Sequence, residues 1–199
     1  MRDGAKLDAL IEPMVADYVA KNRAAQAIKA DLDSIAVGLL PVIDHLTIRT
    51  DDIDRRVREF LDLGYAYDET IEYGDWYAKV YRAPGYPALF VDQAYAGDRG
   101  KTSVIPRWVA KFGDRVFHHV AVRVEDIEKS IARLKTKGVR FAGEIIGAPG
   151  SSLRQIFTVP ESVDGEPFSV LELTERHAGY QGFSPPQADG LMRSTVLQR

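Results

Sequence analysis

The chain repeats itself at a fixed offset. Asp44-His45-Leu46-Thr47-Ile48-Arg49 returns 74 residues later as His118-His119-Val120-Ala121-Val122-Arg123. Without a gap, Val57 then falls on Ile131, Phe60 on Leu134, Gly64 on Gly138 and Tyr67 on Phe141. A repeat constrains architecture before any single element does, because each copy is one supersecondary unit. Two copies of one unit are expected, each opening on a strand that carries a histidine.

The local patterns agree with that reading. Ile43 to Thr50 alternates and is rich in branched residues, as a strand requires. Asp51 or Asp52 is placed to cap a helix running to Leu63 and stopping at Gly64. Strands follow over Tyr65 to Tyr73, Trp76 to Arg82 and Ala88 to Gln93, punctuated by Gly74, Pro84, Gly85 and Pro87. The second copy repeats the order, with a strand over Phe117 to Val124 and a helix over Asp126 to Lys137. Its later strands lie around Phe141 to Ile145, Leu153 to Val159 and Phe168 to Thr174. The expected fold is therefore α+β, two βαβββ modules. Module one spans 41–93, a connector 94–115, module two 116–176 and a tail 177–199. The connector holds a helical turn at Ile105 to Phe112, and the tail a short helix over Gln187 to Met192.

Residues 1–40 precede the first module. Leu7, Leu10, Ile11, Met14, Val15, Tyr18 and Val19 recur every three or four positions, which makes one apolar helical stripe. A second helix is expected over Ala24 to Leu32, with Ser34 capping a third turn. This N-terminal helical segment reads as a packing element on the main body, with a homodimer interface as the alternative.

Composition excludes several kinds of chemistry. There is no cysteine, so neither a disulfide nor a thiolate site can form, and any metal must be held by histidine and carboxylate. A net charge of −3 offers no basic surface for nucleic acid. No apolar run approaches the ~20 residues of a membrane span. The first residues lack the basic-then-apolar order of a signal peptide, so a cytoplasmic location is expected.

Alternation places the chemistry. Residues i, i+2 and i+4 of a strand share a face, so His45, Thr47 and Arg49 point one way while Leu46 and Ile48 point the other. His119, Ala121 and Arg123 share a face in the second copy, as do Val170, Glu172, Thr174 and Arg176 in the last strand. A solvated sheet face also alternates, but it has no reason to repeat histidine at one register with arginine four residues on. If the modules close into one cup, these side chains line it. Two imidazoles and one carboxylate with open positions form the facial triad that suits Fe(II) and similar ions. Aligning the last strands of the copies puts Val91 opposite Glu172, and one residue of slip would put Asp92 there. With Val91 inward the site has three ligands. With Asp92 inward it has four, as a Lewis-acid isomerase would. His118, on the face of Asp44, reads as packing or as a support behind the ligands, and His177 and Glu175 as surface residues.

At this point the chain resembles the vicinal oxygen chelate superfamily, in which paired βαβββ modules form a cupped mixed sheet around a metal. Within it, it is more similar to the 2-oxoadipate dioxygenase/decarboxylase (DUF1338) family. The matching stretches include Asp44 to Thr50, Leu63-Gly64-Tyr65, Trp108 to Gly113 and His119 to Arg123. They continue with Gly147 to Gly150, Leu153 to Thr158, Leu171 to Arg176, Gly182-Phe183 and Arg193-Ser194-Thr195. The resemblance implies metal ligands at His45, His119 and Glu172. It implies Arg49 as the grip on a 2-oxoacid carboxylate, with Thr47, Arg154 and Gln155 near the substrate and Phe183 in a closing tail. The activity it implies is oxidative decarboxylation with hydroxylation of a 2-oxoacid, using O2 and Fe(II) or another divalent ion. The alternatives are a non-oxidative isomerase, epimerase or lyase, and a binding module without catalysis.

Overall fold

Strands β1 (Ile43–Arg49) and β5 (Phe117–Val124) open the two copies at the predicted register. The computed structural model describes residues 2–183. These fall into two units, residues 2–18 with 45–118 and residues 19–44 with 119–183. Helix α1 (Arg2–Lys21) carries the predicted stripe, and Leu7, Ile11, Val15 and Tyr18 are buried. Helix α2 (Arg23–Asp33) follows, capped by the buried Asn22, whose side chain accepts from the Ala25 amide. Ser34 ends α2 and starts no further helix: its hydroxyl donates back to the Asp31 carbonyl at 2.6 Å. The next helical piece is a 3-10 turn at Leu40–Val42.

In the first unit, β1 leads through helices α3 (Ile53–Arg56) and α4 (Arg58–Leu61) to strands β2 (Ala66–Glu72), β3 (Trp76–Arg82) and β4 (Ala88–Ala94). Strands β2, β3 and β4 pair antiparallel, and β4 returns to lie parallel to β1. Leu46 and Ile48 are fully buried, as is Phe60. Each such side chain withdrawn from water contributes about 1.5–3 kcal/mol. Asp52 is the N-cap, accepting from the Arg55 amide at 3.0 Å. The single helix expected to Leu63 is broken at Val57. The second copy keeps one helix there. Helix propensity does not explain the break, because Val57 and Ile131 are both β-branched and Arg56 is a better helix former than Ser130. The connector forms helix α5 (Ile105–Phe112), with Pro106 in its first turn.

In the second unit, β5 leads through helix α6 (Ile127–Thr136) to strands β6 (Phe141–Ile146), β7 (Leu153–Thr158), β8 (Glu161–Val163) and β9 (Glu166–Arg176). Strand β9 lies between a parallel β5 and an antiparallel β7, and β7 pairs with β6. Strand β8 is absent from the expected order. It pairs with β9 across Asp164-Gly165, both at positive φ (51° and 76°). An Asp-Gly pair is the turn that a tight hairpin requires, so this strand was signalled in the sequence. The short helix expected over Gln187 to Met192 lies outside the described residues.

Asp126 caps α6 as Asp52 caps α3, accepting from the Lys129 amide at 2.8 Å. Asp126→Ala is expected to destabilise the protein by about 1 kcal/mol, read as a lower urea midpoint at unchanged slope.

Candidate metal centre

In the first unit the register pairs His45 with Ala88, Thr47 with Phe90 and Arg49 with Asp92. All six are buried. The Phe90 ring lies 5.0 Å from the His45 ring, which places Phe90 on the histidine face of β4. Arg49 stacks over Trp108 at 5.5 Å, and Trp108 meets the ring of His118 edge-on at 5.7 Å. His118 thus packs in the core of its unit, as its face predicted. Burial pushes the Asp92 carboxyl up to about 7, against the pull of Arg49 and His45. Burial likewise draws Arg49 down to about 10, with Asp92 opposing, so its guanidinium stays protonated near neutrality.

In the second unit His119 pairs in register with Val170, Ala121 with Glu172 and Arg123 with Thr174. Glu172 Oε2 lies 3.6 Å from His119 Nε2. That separation is long for a hydrogen bond but suits two ligands of one ion with bonds of about 2.0–2.2 Å. Glu172 Oε1 accepts from Gln155 Nε2 and from the Thr174 hydroxyl, each at 2.5 Å. The carboxylate is thereby turned with Oε2 toward the histidine. Phe157, opposite Glu172 on β7, lies against the His119 ring at 5.1 Å.

The two registers settle how the last strands correspond. Ala88 matches Val170, Phe90 matches Glu172 and Asp92 matches Thr174. An independent contact gives the same answer. Gln93 accepts from the first amide of α3, Ile53, and Glu175 accepts from the first amide of α6, Ile127, both at 2.8 Å. Neither Val91 nor Asp92 therefore takes the place of Glu172. Val91 faces the other side, Asp92 sits one pair further on, and the position belongs to Phe90.

One predicted substrate contact lies on another face. Arg154 pairs in register with Glu175, on the face opposite Gln155 and Phe157. Its guanidinium donates to Glu128 and to Glu175. Glu175 itself is buried, which corrects its reading as a surface residue, and it also meets His177 Nε2 at 2.5 Å. Phe183 lies 4.6 Å from the guanidinium carbon of Arg176. Arg123 and Arg176 both donate to Asp44, a buried carboxylate on the face opposite His45 to which alternation gave no role. Residues 168–175 are buried throughout, and a carboxylate in such a strand needs a cation on its own face.

Among the described residues, His45, His119 and Glu172, all buried, form a set able to hold a metal ion. Their chemistry fits one: two imidazoles, and a carboxylate fixed by two donors. A fold of two βαβββ modules with such a donor set defines a class of metal proteins. The model of the Glyoxalase/Bleomycin resistance protein/Dioxygenase superfamily matches residues 42–167, and the chain belongs to that family. The resemblance read from the sequence leads to the same superfamily. No curated protein matches the chain. Solved structures do. Hydroxyglutarate synthase from Oryza sativa, in complex with 2-oxoadipate, is 18% identical with a TM-score of 0.74, over 97% of this chain and 93% of that one. A mutant 4-hydroxymandelate synthase from Streptomyces coelicolor is 17% identical with a TM-score of 0.61, over 79% and 55%. Methylmalonyl-CoA epimerase from Mycobacterium tuberculosis is 23% identical with a TM-score of 0.52, over 71% and 91%. At these identities the likeness is one of fold. No helix among the described residues is long and apolar enough to cross a membrane.

Proposed function

We propose that the chain is a metal-dependent dioxygenase of a 2-oxoacid, with His45, His119 and Glu172 as ligands to Fe(II). The observation that carries the reading is Phe90 in the position that mirrors Glu172. It keeps the donor set at two histidines and one carboxylate, with positions left over, the arrangement of non-haem oxygenases. The likeness to a synthase that binds 2-oxoadipate supports the substrate class.

The ion, when bound, supplies the redox chemistry. The chain's own residues bind and orient. Arg49 offers a planar fork that matches a carboxylate with two parallel hydrogen bonds, and its stack on Trp108 fixes the direction of that fork. Gln155 and Thr174 hold the rotamer of Glu172. Phe90 and Phe157 cover the two histidine rings and exclude water from them. Thr47, in register with Phe90, lies on the His45 face as a further substrate contact.

The test is anaerobic reconstitution with Fe(II), then O2 uptake and CO2 release over a panel of 2-oxoacids. At least one acid is expected to drive both. The reading is overturned if no acid drives either. Substrate conversion without O2 consumption would mean a non-oxidative isomerase instead.

A further inference from the structure

The buried carboxylate of Asp44 is surrounded by arginine. Arg176 donates to it from Nε at 2.7 Å and from Nη2 at 2.9 Å, a bidentate pair with both side chains at most 5% exposed. Arg123, half exposed, donates from Nε at 3.2 Å and Nη2 at 2.9 Å. The third nitrogen of Arg176, Nη1, turns the other way. It donates to the Gly182 carbonyl at 2.7 Å and approaches that of Tyr180 at 3.5 Å, with the Phe183 ring over the guanidinium. The backbone closes the same segment: the His177 amide donates to Ser152, and the Tyr180 amide to His177, both at 3.0 Å. One guanidinium thus gathers residues 177–183 against the end of β9, and Asp44 holds the guanidinium.

Asp44 immediately precedes His45 in β1. We infer that Asp44 is a positioning residue that couples the ordering of residues 177–183 to occupancy of the metal centre, an inference that rests on the reading of His45 as a ligand. Its physical basis is the cost of a buried cation that loses its carboxylate. If Asp44 lets go, Arg176 must leave with the segment it gathers, and β1 loses its anchor beside the ligand. Coupling of this kind is reciprocal, so metal should tighten the segment as much as the segment tightens metal.

The test uses the whole chain and Co(II), an air-stable divalent probe, with two readouts other than activity: amide hydrogen exchange of residues 177–183, and Co(II) affinity by calorimetry. In the wild type, Co(II) is expected to slow exchange in that segment several-fold. Asp44→Asn is expected to speed it without metal and to weaken Co(II) binding about 10-fold, within the usual span of such couplings. Asp44→Glu should restore part of both effects, and Arg123→Ala should do less than Asp44→Asn. The inference is overturned if Asp44→Asn frees the segment yet binds Co(II) like the wild type, or if Co(II) leaves the exchange of the wild type unchanged. Should Asp44→Asn not fold, Phe183→Ala, which removes only the stacked ring, is judged by the same two readouts. His45→Ala separates the two levels: if it binds Co(II) like the wild type, the ligand assignment itself fails.

Discussion

Glu172→Ala is expected to bind divalent metal at least about 100-fold more weakly than the wild type. Groups that merely orient a ligand are worth 10–100-fold, and removing the sole carboxylate of a three-ligand set costs no less. The loss should also appear as stability. An ion that binds only the folded chain, present at about 100 times its Kd, stabilises it by about 2.7 kcal/mol. That increment is expected in the wild type and absent in the variant. The measurement is urea unfolding with and without metal, alongside direct metal analysis. A Glu172→Ala protein that gains as much from metal as the wild type would remove Glu172 from the centre.

Glu175→Ala, three residues along the same strand, should do the reverse. Glu175 is buried and accepts from the Ile127 amide and from Arg154, itself 7% exposed. Its removal leaves a helix amide without its acceptor and a buried guanidinium with the more exposed Glu128 as its remaining carboxylate. Breaking a buried pair costs about 3–5 kcal/mol, and the contact with Glu128 puts the expected loss near the lower end, about 3 kcal/mol. Metal affinity of the folded variant should stay within a few-fold of the wild type, because Glu175 faces α6 and Glu172 faces His119. Urea midpoints and calorimetry on the two variants form a double dissociation. Equal losses of affinity in both would mean that the two faces of β9 are not independent.

The pair also explains what could be read from the residues alone. The duplication and the histidine register were legible because β1 and β5 alternate a branched side with a side carrying chemistry. Glu172 followed from that alternation and from the family resemblance, and Gln155 from the resemblance alone. The partner of Glu172 in the first copy did not follow. In β4, Ala88 to Asp92 are all buried, so neither face is marked by polarity and the hydrophobic pattern cannot fix register. The pairing with β1 and the contact of Gln93 with the Ile53 amide assigned the place to Phe90. Arg154 and Glu175 were misread for a related reason. Charged residues were expected either at the site or in water, whereas these neutralise one another beneath a helix. Asp44 escaped because its partners come from β5 and β9, 79 and 132 residues away in sequence, a separation no local pattern reports.

Phenylalanine at position 90 also decides an electrostatic quantity. One carboxylate and two neutral imidazoles around a divalent ion leave one positive charge uncancelled. A glutamate at position 90 would have brought the assembly to neutrality. In surroundings of low dielectric, that residual charge acts strongly on whatever enters. A ligand that brings a single negative charge to the ion would then be favoured over its neutral ester or amide, whatever the rest of the molecule looks like.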